Sequence, residues 1–307
     1  MERENQRLKK YIAYCWFLFG FVFLVILAGG IVRMTQSGMG CPDWPKCFGM
    51  WIPPVNESQL PLDFEQYLDK QDIDHSFNVY HTWIEYINRL LGAILGLLIL
   101  IFVALSFRIR RIKPKVFYLS ILLFLLVGFQ GWLGKRVVDE NLAVAKITTH
   151  MVVAILIAAV PLIIVALVQM RERVSSRLLK WVSSSMILLV LLQIFFGTRV
   201  RESIDIVSKS LNYEQRELWI ADLGTEFLVH RSYTWILLIG TVILIYYSTS
   251  NTKLSKARIW VVGSLIITVA AGLIMSYADM PALAQPIHLV FASLLTMSLL
   301  WFRLQVK

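Results

Sequence analysis

The chain has 307 residues, of which 57% are hydrophobic and only 16% are charged. Soluble proteins carry about 25% charged residues, so this composition predicts an integral membrane protein. The net charge of +10 does not require a nucleic-acid partner, because the basic residues are spread over short segments between apolar runs.

Eight apolar runs reach the length of about 18 to 20 residues that a hydrocarbon core of about 30 Å requires. The first run is too long for a secretory signal peptide and has no small-residue cleavage site, so we expect it to remain as helix one. The sequence therefore predicts an all-α polytopic membrane protein. Its predicted helices one to eight are Tyr11–Met34, Trp83–Phe107, Val116–Val138, Ile147–Met170, Leu178–Thr198, Phe227–Tyr247, Ile259–Tyr277 and Ala284–Leu304.

Lys and Arg are distributed unevenly over the segments between these helices. Eighteen of the 30 lie in five short segments, namely the two ends of the chain and the loops after helices two, four and six. Because cytoplasmic segments carry an excess of Lys and Arg, we expect both termini to be cytoplasmic. The predicted location is the plasma membrane, with the other loops facing outward.

The first outward loop, residues 35–82, contains two of the three cysteines. Cys41 and Cys47 would lie in the oxidising compartment outside the membrane, which predicts a disulfide between them. This disulfide would either staple the loop or take part in a redox relay, since a short exposed disulfide can be labile. Cys15 lies within helix one and is expected to be a small core residue.

Helix two begins with polar residues in the stretch "HTWIEYINRLLG". His81, Glu85 and Asn88 have the spacing i, i+4 and i+7, so they share one face of the helix. Near the start of helix six, Glu226 and His230 have the spacing i and i+4. Such a carboxylate would orient an imidazole, act on a substrate or favour the helix N-terminus, and these alternatives stay open.

Three of the five histidines, His150, His230 and His288, lie near the starts of helices four, six and eight. These helices all start outside, so the three imidazoles should share one depth. A single histidine in a span can be a packing residue, but ionisable groups at matched depth favour a functional role. We expect His230 and His288, from neighbouring helices, to bind a haem iron from its two axial sides. Zinc or copper would require a tighter cluster of Cys, His and acidic residues.

Arginines cluster at the outer ends of the helices, with Arg89 and Arg231 just inside helices two and six. One interpretation is that their side chains reach the lipid headgroups. The other is that Arg89 and Arg231 each bind the propionates of a haem whose carboxylates face outward.

The second half of the chain repeats features of the first. Asn88-Arg89 align with His230-Arg231, and His150 aligns with His288. Because each half has an even number of helices, the two copies have the same orientation. This predicts two pseudo-symmetric four-helix bundles, 1–172 and 173–307, related by an axis along the membrane normal.

Three features of the sequence resemble the haem A synthase family: the stretch "GGIVRMTQSGMGCPDWPKCFG", the "EYINR" opening of helix two, and one histidine at the head of helices four, six and eight. The resemblance covers nearly the whole chain. It implies an enzyme that oxidises a methyl group of haem O to a formyl group by successive hydroxylations, giving haem A for terminal oxidase assembly. The implied partners are a haem O synthase that delivers the substrate and an unidentified electron donor.

The resemblance also implies roles for single residues. A b-type haem would lie in the C-terminal half between His230 and His288, and haem O would lie in the N-terminal half near His150. Glu85 matches the family's essential glutamate, which is a candidate proton acceptor or stabiliser of a cationic intermediate.

This chain departs from the family at Asn88, where the family has a histidine, and a neutral amide is a poor ligand for haem iron. Three alternatives follow: His150 alone holds the substrate iron, His81 approaches from the other side, or this half has changed function. Two rival functions also stay open. One is a bis-histidine b-type cytochrome in electron transfer, and the other is a haem-handling chaperone or transporter.

Overall fold

The structure is a computed structural model that describes residues 2–68, 77–140, 144–170, 172–221 and 223–307. Residues 69–76 of the predicted loop 35–82 lie outside these ranges. So does Arg171, which belongs to one of the predicted cytoplasmic segments.

Eight helices in the described residues are long and apolar enough to cross a membrane. The same residues contain no β-strand, so the predicted all-α polytopic fold is confirmed. We number these helices α1 to α8, with the bounds Glu2–Met34, Val79–Phe107, Pro114–Asp139, Val144–Gln169, Arg177–Ser210, Thr225–Ser248, Ser255–Tyr277 and Ala284–Leu304. The side of the membrane on which the termini lie stays a prediction.

Local sequence signals account for several helix starts. The Asn78 side chain accepts hydrogen bonds from the backbone N–H groups of Tyr80 and His81, which caps α2. Pro114 occupies the first turn of α3, where its missing N–H costs nothing. Ser176 caps α5 by accepting from the N–H of Leu179 at 3.3 Å.

The chain divides into two compact units, Met1–Ile164 and Val165–Lys307. The boundary falls inside α4, close to the predicted one after residue 172. The pseudo-symmetry of the two halves stays a prediction.

In the first unit, α2 packs against both α1 and α3. The Tyr11 ring of α1 stacks on Phe102 of α2 with their centroids 4.6 Å apart. The Ser106 and Ser120 hydroxyls, from α2 and α3, are 2.5 Å apart and hydrogen bonded. Paired hydroxyls of this kind satisfy polar groups that lipid cannot.

In the second unit, α5 packs against α6 and α8, and α7 packs against α8. The α5 helix continues to Ser210, beyond its predicted end at Thr198. The continuation is stabilised by a small apolar cluster that joins Val200 and Ile204 to Trp219 and Met280. The segment that follows the predicted end of helix five is therefore packed against other parts of this unit.

The predicted orientation can be tested at two exposed positions. Leu62 lies in the loop between α1 and α2, which we call the first outer loop because it is predicted to face outward. Ile112 lies between α2 and α3. We expect a membrane-impermeant thiol reagent to label Leu62→Cys on intact cells and Ile112→Cys only after permeabilisation, because the Lys and Arg excess places residue 112 inside. The reverse pattern would contradict the cytoplasmic assignment of the termini.

Candidate functional site

The first outer loop forms a compact structure around a disulfide. Cys41 and Cys47 are bonded to each other and fully buried, which confirms the predicted pairing. The Asp43 carboxylate accepts hydrogen bonds from the backbone N–H groups of Phe48 at 2.6 Å and Gly49 at 2.9 Å. The Asp43 side chain therefore ties the segment between the two cysteines to the residues that follow Cys47.

This loop lies directly on the first turns of α2. The Thr82 hydroxyl donates to the Gly40 carbonyl at 2.9 Å. A methyl group on Gly40 would lie 2.3 Å from the carbonyl oxygen of His81, so only glycine permits the approach. On the other side, Trp83 donates to the Pro54 carbonyl at 3.1 Å. The loop is thus held against the end of the helix that carries Glu85.

Glu85 is buried beneath the loop, with 4% of its surface exposed. Its Oε2 accepts from the backbone N–H of Cys41 at 2.7 Å. Its Oε1 accepts from Nε of Arg89 at 3.1 Å and also from Nη2 of that side chain. Both oxygens of the carboxylate are therefore bonded, one to the loop and one to the next turn of α2.

In the second unit, His230 of α6 and His288 of α8 face each other. Their ring centroids are 6.3 Å apart, and the rings are inclined by 63°. The Nδ1 nitrogen of His288 lies 2.8 Å from the carbonyl oxygen of Thr268. Since a carbonyl only accepts, Nδ1 carries the proton, and the lone pair of His288 is on Nε2. That tautomer is the one in which Nε2 can bind a metal.

A glycine on a neighbouring helix lies against each of these imidazoles. A methyl group on Gly197 would lie 3.1 Å from Cε1 of His230, and one on Gly272 would lie 3.3 Å from Cε1 of His288. Both contacts are closer than ordinary van der Waals distance, so the glycines leave the space that the rings fill.

In the first unit, two residues lie near a glycine at ordinary van der Waals distance. A methyl group on Gly134 would lie 3.6 Å from Cε1 of His150, and one on Gly29 would lie 4.0 Å from Oδ1 of Asn88. Asn88 therefore lies against a glycine of the preceding helix, as His230 does. His81 lies two helical turns before Asn88, about 10 Å along the axis.

Two glutamines that the sequence interpretation missed support the histidine helices. Gln130 donates through its amide to the carbonyl of His150 at 3.0 Å, and Gln193 donates to the carbonyl of His230 at 2.9 Å. Each glutamine lies four residues before the glycine that contacts the same histidine. The shared pattern Q-x-x-x-G in α3 and α5 was the signal that could have found them.

Two other predicted residues lie outside these contacts. Nδ1 of His230 is buried and has no hydrogen-bond partner among the described residues, so Glu226 does not orient that ring through it. Glu226 lies in the first turn of α6, where the helix dipole favours a carboxylate. Arg231 is exposed, with its guanidinium 5.7 Å from the centre of the Phe227 ring.

Together these features define a class of protein, a polytopic helical membrane protein with two facing imidazoles in one unit and a buried carboxylate under a disulfide loop in the other. A model of the COX15-CtaA family, described as "Cytochrome oxidase assembly protein", matches residues 12–300. The chain belongs to this family of cytochrome oxidase assembly proteins.

Curated relatives agree with the predicted resemblance. The chain is 32% identical to "Heme A synthase" of Shewanella oneidensis over 131 aligned residues. This aligned stretch covers 43% of the chain and 37% of the relative. It is 28% identical to the proteins of that name from Brucella ovis and Brucella suis over 208 aligned residues. This aligned stretch covers 63% of the chain and 57% of each relative. The matched part thus spans less than two thirds of the length of these relatives.

Proposed function

We propose that this protein is a haem-dependent membrane oxidoreductase that converts haem O to haem A for terminal oxidase assembly. The observation that carries the proposal is the facing pair His230 and His288, in a chain of the cytochrome oxidase assembly family. The relatives named "Heme A synthase" support the choice of this reaction.

The residues around His230 and His288 fit a haem b. Their ring centroids are 6.3 Å apart on two helices, so the two imidazoles would be the residues that hold the group. The histidine tautomer and the close glycines favour the same interpretation. When bound, a haem with two imidazole ligands supplies one-electron transfer to the reaction. Arg231 is a candidate for its propionates.

In the first unit, we propose that His150 binds the iron of haem O and that Glu85 acts on the reacting methyl group. Each of two successive hydroxylations would remove two electrons from the methyl carbon and pass them to an oxidant from outside the chain. The resulting geminal diol would lose water to leave the formyl group. Asn88 offers no strong ligand, so His150 would be the single strong one unless His81 approaches. A weakly held iron suits a substrate that has to enter and leave as a product.

We also propose that the site lies at the outer face of the membrane and that the protein has two partners. Glu85 and the histidines lie near the helix ends that the charge distribution assigns to the outer face of the plasma membrane. Haem O would come from a haem O synthase, and a separate electron donor would exchange electrons with the haem b.

The role of Glu85 can be tested by co-expressing the chain with a haem O producer and measuring extracted haems by mass. We expect Glu85→Gln to lower haem A by about 100-fold, as is typical when one acid–base group is removed, while haem b is retained. The matched control is Glu226→Gln, which should leave haem A unchanged. Normal haem A in Glu85→Gln would remove Glu85 from the mechanism, and no haem A from the unaltered chain would favour the cytochrome alternative.

The haem b site can be tested through Gly272. We expect Gly272→Ala to weaken haem retention by about 1 to 3 kcal/mol, because the added methyl group overpacks the site and displaces His288. The haem-to-protein ratio of the purified chain, read from its reduced spectrum, measures the effect. Gly263→Ala on the same helix, where the methyl group meets nothing within 4 Å, should retain haem normally. Equal retention in both variants would argue against a haem at His288.

The position of Asn88 gives a test of the substrate site. If Asn88 occupies a ligand position, Asn88→His should create a second site with two imidazoles, and the purified chain should hold about two haems instead of about one. Asn88→Ala is the control and should leave the haem content unchanged. An unchanged haem content in Asn88→His would mean that residue 88 does not face the substrate iron.

A further inference from the structure

Arg89 uses all its hydrogen-bond donors on the first outer loop and on Glu85. Nη1 donates to the carbonyls of Asp43 at 2.5 Å and Lys46 at 3.1 Å, and Nη2 donates to the carbonyl of Cys41 at 2.6 Å. Nε and Nη2 donate to Oε1 of Glu85. These five bonds, which we call the Arg89 clamp, match the five N–H donors that a guanidinium possesses.

The Arg89 clamp lies on the segment that the disulfide closes. Cys41 and Cys47 both have 0% of their surface exposed, and the carbonyls of Asp43 and Lys46 lie between them in the chain. Because the loop also contacts the backbone of α2 at Gly40, the segment has to lift off α2 before a reagent can reach either sulfur. Lifting breaks the bonds from Arg89 to the loop.

The planar guanidinium group of an arginine, whose donors form a fork, is needed for the Arg89 clamp. Its nitrogens are spread over a rigid plane, so that three carbonyls and a carboxylate can be bound at once. A lysine would offer three donors from a single nitrogen and could not span the same set. The contact therefore depends on the shape of the side chain as well as on its charge.

We propose that Arg89 is a positioning residue that controls access to the Cys41–Cys47 disulfide and sets the position of Glu85. While the Arg89 clamp is intact, the disulfide is closed to dithiol reductants, and Glu85 is held against the backbone N–H of Cys41. When the loop lifts, Oε2 of Glu85 becomes free to accept a proton. This last step rests on the proposed function, because it supplies the carboxylate oxygen for the oxidation of haem O.

The redox step that the Arg89 clamp controls is thiol–disulfide exchange. One thiolate of a dithiol attacks a sulfur of the disulfide, which gives a mixed disulfide and one free cysteine thiol. The second thiol of the reductant then displaces the other cysteine. Overall, two electrons and two protons pass to the protein, the reductant becomes a disulfide, and Cys41 and Cys47 become thiols.

The proposal can be tested by the rate at which dithiothreitol reduces the full chain in detergent, with Cys15→Ser as background and free thiols trapped by a high-mass maleimide. We expect Arg89→Gln to be reduced about ten-fold faster or more, because reduction through local opening follows the population of the open state. The matched control is Arg136→Gln in the same unit, which removes a partly exposed ion pair with Glu140 and should keep the original rate. An unchanged rate in Arg89→Gln, or equal acceleration in both variants, overturns the proposal.

The variant Arg89→Lys distinguishes the control of access to the disulfide from the positioning of Glu85. The ammonium keeps a positive charge beside Glu85 but loses the fork, so we expect rapid reduction together with partial recovery of haem A formation relative to Arg89→Gln. Slow reduction in Arg89→Lys would overturn the control of access, and no recovery of haem A would overturn the positioning of Glu85. If Arg89→Gln does not fold, the reduction rate of Arg89→Lys decides alone. The thiol measurement needs no haem, so its result is independent of whether the chain makes haem A.

Discussion

The ion pair between Glu85 and Arg89 is the interaction on which the outer part of the first unit depends. Both side chains are largely buried, at 5% and 14% exposure, and lie in a helix that crosses the membrane. Removing one partner of a buried ion pair costs about 3 to 5 kcal/mol, because the other charge is left without compensation. The first outer loop provides the remaining partners that both charges need. The ion pair can therefore be buried only when the first outer loop is folded, and the folded loop in turn depends on the ion pair.

This dependence also explains why the loop is built from backbone groups. The carbonyls of Cys41, Asp43 and Lys46 point toward Arg89, and the N–H of Cys41 points toward Glu85. A short loop closed by a disulfide holds four such groups in a fixed arrangement with little freedom to lose on folding. The side chain of Asp43 braces the same loop from within. The cysteine pair thus contributes to the position of Glu85 whether or not it also exchanges electrons.

The sequence predicted the eight helices well, because apolar runs of this length have few alternatives to spanning a bilayer. It also predicted the cysteine pairing, since Cys41 and Cys47 lie close together in a loop assigned to the outside. It did not predict the extension of α5 to Ser210, because Val200 and Ile204 pack against Trp219 and Met280 in distant parts of the chain. Hydropathy along the sequence carries no information on such contacts.

The candidate site could be predicted only in part, for a related reason. Helical spacing placed Glu85 and Asn88 on one face, and the position of the histidines in their helices suggested one depth. Apart from Glu85, the partners of Arg89 are backbone carbonyls more than 40 residues away, and backbone carbonyls have no sequence signature. Charge alone therefore favoured lipid headgroups or haem propionates for Arg89, and binding of a propionate stays a prediction. It would require exchange of one of the five bonds that Arg89 now makes.

The two units then differ in one physical respect that bears on the proposed reaction. His230 and His288 are each packed closely against a glycine, and His288 also bonds to the Thr268 carbonyl, so both proposed ligands of the second unit are held in place. In the first unit Asn88 has a looser contact with Gly29, at 4.0 Å, and the loop over Glu85 is the one that we propose to lift. In the proposed reaction, a rigid pair of imidazoles would retain haem b, whereas one strong ligand beside a movable loop would permit exchange of haem O. The proposed function therefore assigns permanent binding to the second unit and turnover to the first, because the two units differ in the residues proposed to hold the iron.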